Sequence, residues 1–156
     1  MSYYTYTSTD LMPVAFHFKV RIGLETAIRD TSFQEVSGLD VKMEVLPVKE
    51  GGENRFQYQL PNGIKQQSIT LKRGLADEMS PLMNWCKSVL ESDLAHPIAP
   101  KQIWITLCDM DHDPTRVWVV HNAFPVRWNI DTFNSTKNEV AIETIELAYL
   151  YVERTM

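Results

Sequence analysis

The chain has 156 residues, and its 20 acidic and 15 basic side chains give a formal net charge of −5 at neutral pH. Hydrophobic residues make up 44% of the sequence and charged residues 22%, which are proportions of a globular protein rather than of a disordered one. We expect a single domain with a buried core over residues 1–156. Lys and Arg are not clustered along the chain, so specific nucleic-acid binding is not expected.

The N-terminal segment 1–13 is polar, rich in Tyr, Thr and Ser, and lacks the basic and apolar regions of a secretory signal. We expect this segment to be flexible and the protein to be made in the cytoplasm. The apolar runs are far shorter than the roughly 18 to 20 residues that a membrane-spanning helix requires. Insertion of this chain into a membrane is therefore not expected.

The first strands are predicted from alternating apolar and polar residues. Residues from Val14 to Ile22 alternate strictly, which is typical of a half-buried strand. A second strand is expected near Phe33 to Val36, and Ser37 and Gly38 then predict a turn into the next strand.

A long hairpin is predicted next. Alternating residues at 41–45 and at 55–60 flank a polar, glycine-rich tip at 47–54. The Pro-Asn-Gly sequence at 61–63 predicts a tight turn, because glycine and asparagine accept the positive φ angles that such turns require. Another strand is expected at 64–72.

A helix is predicted from Pro81 to about Glu91. Ser80 is a good N-cap, and Pro81 loses no hydrogen bond at the first helical position. Apolar residues recur on one face at helical spacing, with Trp85 among them. We expect this helix to cap a sheet.

The second half of the chain predicts further strands. Residues 103–108 alternate, and an acidic turn at 109–115 leads into a strand at 116–121, so this pair is expected to be another hairpin. The chain continues extended past Pro125, which predicts a bend or a sheet edge. A polar loop at 131–138 precedes the last strand.

The last strand is predicted at 140–152. Its alternation changes phase within 142–145, as a β-bulge would produce. Apolar side chains then lie on both faces, which a single helix can hardly cover from within the chain. Leu147, Tyr149 and Tyr151 are therefore candidates for contact with another chain. The alternative is a central strand between two packed sheets of the same chain.

Together these elements predict a mainly β domain. Seven or eight strands, joined mostly by hairpins, would form an antiparallel sandwich or barrel with one capping helix. The sequence contains no internal repeat or change in composition that would indicate a second domain.

The acidic turn is the best candidate for a metal site. Asp109, Asp111 and Asp113 have the spacing of the first ligands of a calcium loop. Such a loop also needs Gly at position six and Glu at position twelve, where this chain has Pro114 and Val120. We therefore expect a solvated hairpin end and no metal.

The sequence also lacks catalytic and cofactor-binding motifs. Its four histidines lie in four separate segments, and no zinc-binding helix, phosphate loop or nucleophile elbow occurs. Cys86 and Cys108 lie in different predicted elements and are expected to be reduced, buried thiols. We expect no catalytic residues, no cofactor and no enzymatic activity.

The glycine-rich hairpin tip has two interpretations. It is either an ordinary solvated turn or an arm that reaches a neighbouring copy of the chain. As an arm, its charged side chains would set the register of the contact rather than supply affinity. The candidate contact residues are Lys49, Glu50, Gly51, Gly52, Glu53 and Asn54.

Several short segments, taken together and in order, resemble the phage tail tube family, which includes inner tube proteins of extracellular contractile injection systems. They are FHFKVRI at 16–22, FQEVSGLD at 33–40, VKEGGEN at 48–54, LPNGIKQQSITLKRG at 60–74, Trp85, NAFPVRW at 122–128 and VAIETIEL at 140–147. This family is similar to the haemolysin-coregulated tube protein of type VI secretion.

The resemblance implies a homohexameric ring that stacks on further rings to form a hollow tube inside a contractile sheath. If each copy supplied four strands to one continuous lumen-lining β-barrel, the channel would be roughly 40 Å wide. The implied partners are other copies of the chain, the sheath protein, the baseplate hub and spike, the tube cap and effector cargo. The tip residues 49–54 would join successive rings.

Two departures leave the subtype open. Before the glycine pair, this chain has Val48 and Lys49, where the family pattern has a sequence with an aromatic residue or an arginine. Residues 147–151 are more apolar than is usual in the family. The chain is either the main tube subunit or a specialised initiator ring that joins the tube to the baseplate, in a virion tail or an injection particle. A monomeric small-ligand-binding β-barrel is the alternative from a different functional class.

Overall fold

The computed structural model describes residues 16–23, 29–75, 80–92, 94–131 and 141–155, with only the backbone described at 29–32. The predicted flexible segment 1–13 and nearly all of the predicted loop 131–138 lie outside the described residues. The elements are β1 (His17–Ile22), β2 (Arg29–Phe33), β3 (Glu35–Ser37), β4 (Val41–Val48), β5 (Tyr58–Gln66), β6 (Ile69–Gly74), α1 (Pro81–Leu90), β7 (Lys101–Cys108), β8 (Pro114–Ile130), β9 (Ile142–Ala148) and β10 (Tyr151–Arg154).

The larger sheet is antiparallel and has the strand order β2-β1-β7-β8-β9-β6-β3, with β10 also paired to β8. Its outer strands β2 and β3 are separated in sequence by Gln34 alone, so the strand predicted at 33–36 is divided there. The Gln34 N–H donates to the carbonyl oxygen of Lys72 in β6 at 2.9 Å. The sheet therefore curls until its two ends come together at Gln34, although no ladder between β2 and β3 closes it in the described residues.

The core is formed by inward-facing residues of the curled sheet and one face of α1. The helix begins as its sequence predicts, because the Ser80 hydroxyl accepts a hydrogen bond from the Met83 N–H at 3.3 Å and Pro81 follows the cap. Trp85 is only 6% exposed and packs in this core. The mainly β fold with a capping helix is confirmed for the described parts of the chain.

The tight turn predicted at 61–63 is wrong. This segment lies inside β5, which runs without interruption from Tyr58 to Gln66. Gly63 has a φ of 131°, and the pairing with β4 shifts register between Glu44 and Val45. The positive φ angle is therefore used in a bulge within the hairpin rather than at its end.

The bulge predicted within 142–145 is also wrong. β9 pairs with β6 in regular register from Ile142 to Leu147, and Glu143 faces the core together with Ile145. The apparent change of phase arises because a charged residue takes a core position. The strand is interrupted instead at 149–150, between β9 and β10.

Glu143 is accommodated in the core by a hydrogen-bonded ion pair. Its carboxylate accepts from the Arg73 Nε at 2.7 Å and from the Trp128 indole Nε1 at 2.8 Å. Arg73 also donates from its terminal nitrogen to the Ser80 hydroxyl at 2.8 Å. This network joins the sheet to the start of α1.

Candidate assembly surfaces

The hairpin formed by β4 and β5 is a separate two-stranded sheet, because no strand in the described parts of the chain extends it. We call this hairpin, from Val41 to Gln66, the ribbon. Its large hydrophobic side chains are between 47% and 62% exposed. They are Val41, Met43, Val45, Leu46, Phe56, Tyr58, Leu60 and Ile64. An apolar surface of this extent is typical of an interaction site.

The predicted contact residues 49–54 lie together at the end of the ribbon that connects β4 to β5. The Glu53 N–H donates to the Glu50 carbonyl oxygen at 3.3 Å, and Gly52 has a φ of 96°. Both the backbone N–H and the guanidinium of Arg55 donate to the Glu53 carboxylate, at 2.9 to 3.0 Å. These hydrogen bonds lower the pKa of Glu53. The tip therefore carries its own local structure while its other side chains remain in water.

Sequence reasoning located the tip but missed the apolar flanks of the ribbon. The signal was present, because both strands carry apolar residues at alternate positions. Val41, Met43 and Val45 follow the alternation of a strand, yet all three side chains are more than half exposed.

The three candidates from the end of the chain differ in their surroundings. Leu147 is fully buried in this chain's own core, so its side chain is not available to a neighbouring copy. Tyr149 is half-buried, and its hydroxyl donates to the Gly38 carbonyl oxygen at 3.4 Å. Burial, followed by the charge of Asp40, raises the pKa of Tyr149. At Leu147, the strand is therefore covered by other parts of the same chain, which was the alternative to contact with another chain.

The surface beyond Leu147 becomes exposed. Leu150 is 61% exposed, and Tyr151 is 41% exposed with its ring stacked on His121 at 4.3 Å between centroids. β10 pairs with β8 along one edge only, within the described residues. An unpaired strand edge is a template for pairing with another chain.

The acidic turn forms a compact hairpin end between β7 and β8. The Asp109 carboxylate accepts hydrogen bonds from the backbone N–H groups of Asp111 and Asp113, at 3.0 and 2.9 Å. It therefore stabilises its own turn. Within the described ranges, no group of three or more potential metal ligands comes together.

Two histidines that the sequence placed in separate segments meet beside this turn. His17 Nε2 and His112 Nδ1 lie 2.9 Å apart. Burial lowers the pKa of His17, and the positive charges of His112 and Lys19 lower it further. The pair is separated by 95 positions, so no local sequence signal could have revealed it.

No helix in the described residues is long and apolar enough to cross a membrane.

The curled antiparallel sheet with its capping helix is the fold of tube proteins from contractile injection systems. A chain in the cryo-EM structure of the anti-feeding prophage baseplate is 27% identical, with a TM-score of 0.75 and coverage of 95% of this chain and 97% of that one. A chain in the extended sheath-tube complex of the PVC extracellular contractile injection system is 25% identical, with a TM-score of 0.75 and coverage of 97% and 99%.

Hcp1 from Flavobacterium johnsoniae shares the fold at 11% identity, with a TM-score of 0.59 and coverage of 89% of this chain and 94% of that chain. The model of the T4-like virus tail tube protein gp19 family matches residues 14–153. The chain belongs to this family. No curated protein matches the sequence.

Proposed function

We propose that this protein is the structural subunit of the inner tube of a contractile injection particle or phage tail. Copies form hexameric rings that stack into a hollow tube, through which cargo is delivered. Membership of the tail tube family supports the role. The observation that carries the assembly is the ribbon, whose eight large hydrophobic side chains are about half exposed in the single chain.

The size of this apolar surface favours assembly over a free monomer. Eight side chains that each expose about 80 Å² give about 650 Å² in total, divided between the two faces of the ribbon, and exposed apolar clusters of a few hundred Å² are often functional. At about 25 cal/mol per Å², complete burial would contribute about 16 kcal/mol per copy before the entropic costs of association. Repeated copies of the same chain can cover it in every subunit alike.

Two further surfaces take part in the assembly. Tyr149 and Tyr151, with Leu150 between them, form contacts between neighbours in a ring next to the unpaired edge of β10. The tip residues 49–54 contact the next ring, where their exposed charges set the register. The sheath protein surrounds the tube, and the baseplate hub and spike and the tube cap bind at its ends.

The chemistry of the assembly requires neither a metal nor a cofactor from this chain. We propose that it is not an enzyme, since the family and the similar solved structures are structural tube proteins. A monomeric ligand-binding barrel is less well supported, because exposed apolar side chains on a projecting hairpin would serve no purpose there.

A specialised initiator ring that joins the tube to the baseplate is the second candidate. The likeness to a chain of the anti-feeding prophage baseplate, at 27% identity, favours it as much as the 25% likeness to the PVC chain favours the main tube subunit. The two roles differ in copy number. Quantitative mass spectrometry of intact particles would find six copies for an initiator ring and many multiples of six for the main tube.

Negative-stain electron microscopy and native mass spectrometry of the purified protein test the proposal. We expect rings of six chains, and rods when the sheath and baseplate components are co-expressed. A protein that stays monomeric at high concentration and adds to no rod in the co-expression would overturn it.

A further inference from the structure

The ribbon exposes its apolar side chains on opposite faces in its two halves. Residues directly opposite each other in an antiparallel pair project from the same face, and successive residues project from alternate faces. In the half near the body of the protein, Met43 lies opposite Ile64. In the half near the tip, Leu46 lies opposite Leu60. Positions 43 and 46 differ by an odd number, so these two pairs occupy opposite faces.

We define two patches on this basis. The base patch comprises Val41, Met43, Val45 and Ile64, and the tip patch comprises Leu46, Phe56, Tyr58 and Leu60. Within the tip patch, the rings of Phe56 and Tyr58 pack edge to face at 5.3 Å between centroids. Tyr58 lies opposite Val48, which places it on the face of Leu46.

The bulge in the ribbon causes the change of face. Glu44 lies opposite Gly63, whereas Val45 lies opposite Pro61, so Asn62 is an extra residue of β5 without a directly opposite partner. If β5 contained the same residues in regular alternation, Leu60 would project from the same face as Ile64, because the two positions differ by four; the extra residue at Asn62 places Leu60 on the face of Leu46 instead. The φ of 131° at Gly63 is in the region that favours glycine.

The remainder of each face is polar or lacks large side chains. Behind the base patch, on the other face of the ribbon, Lys42 is paired with Lys65. Lys65 also forms an ion pair with Glu44 at 3.3 Å. Behind the tip patch, exposed Gln59 lies opposite Pro47. Neither face offers a continuous apolar surface along its whole length.

One partner surface can contact only one face of the ribbon, so two surfaces are needed to cover both patches. Four half-exposed side chains give each patch about 300 Å², well below the roughly 800 Å² per partner of a stable interface. Contacts this small become stable where a repeating assembly forms many of them at once. This favours copies of the chain over an unrelated protein as the occupants.

We propose that each ribbon lies between two other copies of this chain, with the base patch against one copy and the tip patch against the other. The inference rests on the proposed function, because it assumes that copies assemble. It adds that one hairpin joins three chains and that the bulge at Asn62 places the β5 side chains of the tip patch on the face of Leu46.

Matched charge substitutions test the two patches separately. Ile64→Glu places a charge in the base patch, Leu60→Glu places one in the tip patch, and Gln59→Glu adds the same charge outside both. We expect Gln59→Glu to form wild-type assemblies, while the two patch variants stop at different incomplete assemblies by native mass spectrometry, because each retains the other contact. Insertion of one Thr between Glu44 and Val45, opposite Asn62, should make the pairing regular, place Leu46 and Leu60 on the face of Met43 and Ile64, and abolish rods, with unchanged circular dichroism.

The outcomes separate this inference from the proposed function. Identical incomplete assemblies from Ile64→Glu and Leu60→Glu would mean that both patches meet one partner, and would overturn the inference alone. Normal rods from the folded insertion variant, or loss of rods in Gln59→Glu, would also overturn it. A wild-type protein that forms neither rings nor rods would overturn both the inference and the proposed function.

Discussion

Removal of the buried Glu143 carboxylate should be among the most destabilising single changes in the described core. Glu143 is fully buried and Arg73 is 3% exposed, with a 2.7 Å contact between the Arg73 Nε and a carboxylate oxygen. Glu143→Ala removes the buried carboxylate that pairs with the Arg73 guanidinium and deprives the Trp128 N–H of its acceptor. Breaking a buried ion pair in this way costs about 3–5 kcal/mol.

Thermal and urea unfolding monitored by circular dichroism would measure this cost. For a chain of this size, each 1 kcal/mol lowers the melting temperature by about 2–4 °C, so Glu143→Ala should lower it by about 6–20 °C. Glu146 on the same strand provides a matched control, because its ion pair with Arg127 is largely exposed, at 62% and 28% of the two side chains. Glu146→Ala should cost at most about 1 kcal/mol.

The double variant Arg73→Met with Glu143→Leu separates the ion pair from the space it fills. Replacing both charges by apolar side chains of similar size is often nearly neutral, so the double variant should be more stable than Glu143→Ala. A loss below about 1 kcal/mol in Glu143→Ala, equal to that of Glu146→Ala, would refute a buried pair at this position.

Three further predictions concern the helix, the tip and the histidine pair. Trp85→Ala should lower the free energy of unfolding by about 3–5 kcal/mol, because the 6% exposed ring leaves a cavity; an unchanged melting temperature would contradict its burial. Replacement of 49–54 by a short Gly-Ser turn should preserve the circular dichroism spectrum but prevent stacking of rings, and tubes of normal length would move the axial contact to 109–115 or to the N-terminal segment. His17 should titrate by NMR below its ordinary pKa of about 6.5, because its surroundings disfavour the charged ring. The stability linked to His17 should therefore be present above pH 6.5 and be lost as the pH falls through the lowered pKa. His112→Ala should raise the pKa of His17 only part of the way back to its ordinary value, because burial is the larger cause of the shift.

The elements with local signals could be predicted from the sequence. Alternation over a few residues predicts a strand because side chains of a strand project to alternate faces, and it located β1, β7 and β8. Ser80 and Pro81 predicted the start of α1 because capping depends on residues within one turn. The tip at 49–54 was predicted in the same way, from residues that favour turns.

The tertiary structure decided the features that depend on distant residues. Glu143 occupies a core position because Arg73, 70 positions away, supplies the opposite charge and Trp128 supplies a further hydrogen bond. Gln34 divides a strand because the curled sheet pairs β2 with β1 and β3 with β6. Leu147 is covered by its own chain for the same reason. The same division holds for the ribbon. Its tip could be predicted from the sequence, whereas the two apolar patches depend on how β4 and β5 pair around Asn62. Such pairings are set by cross-strand geometry and by the desolvation of charge, which a pattern of neighbouring residues does not record.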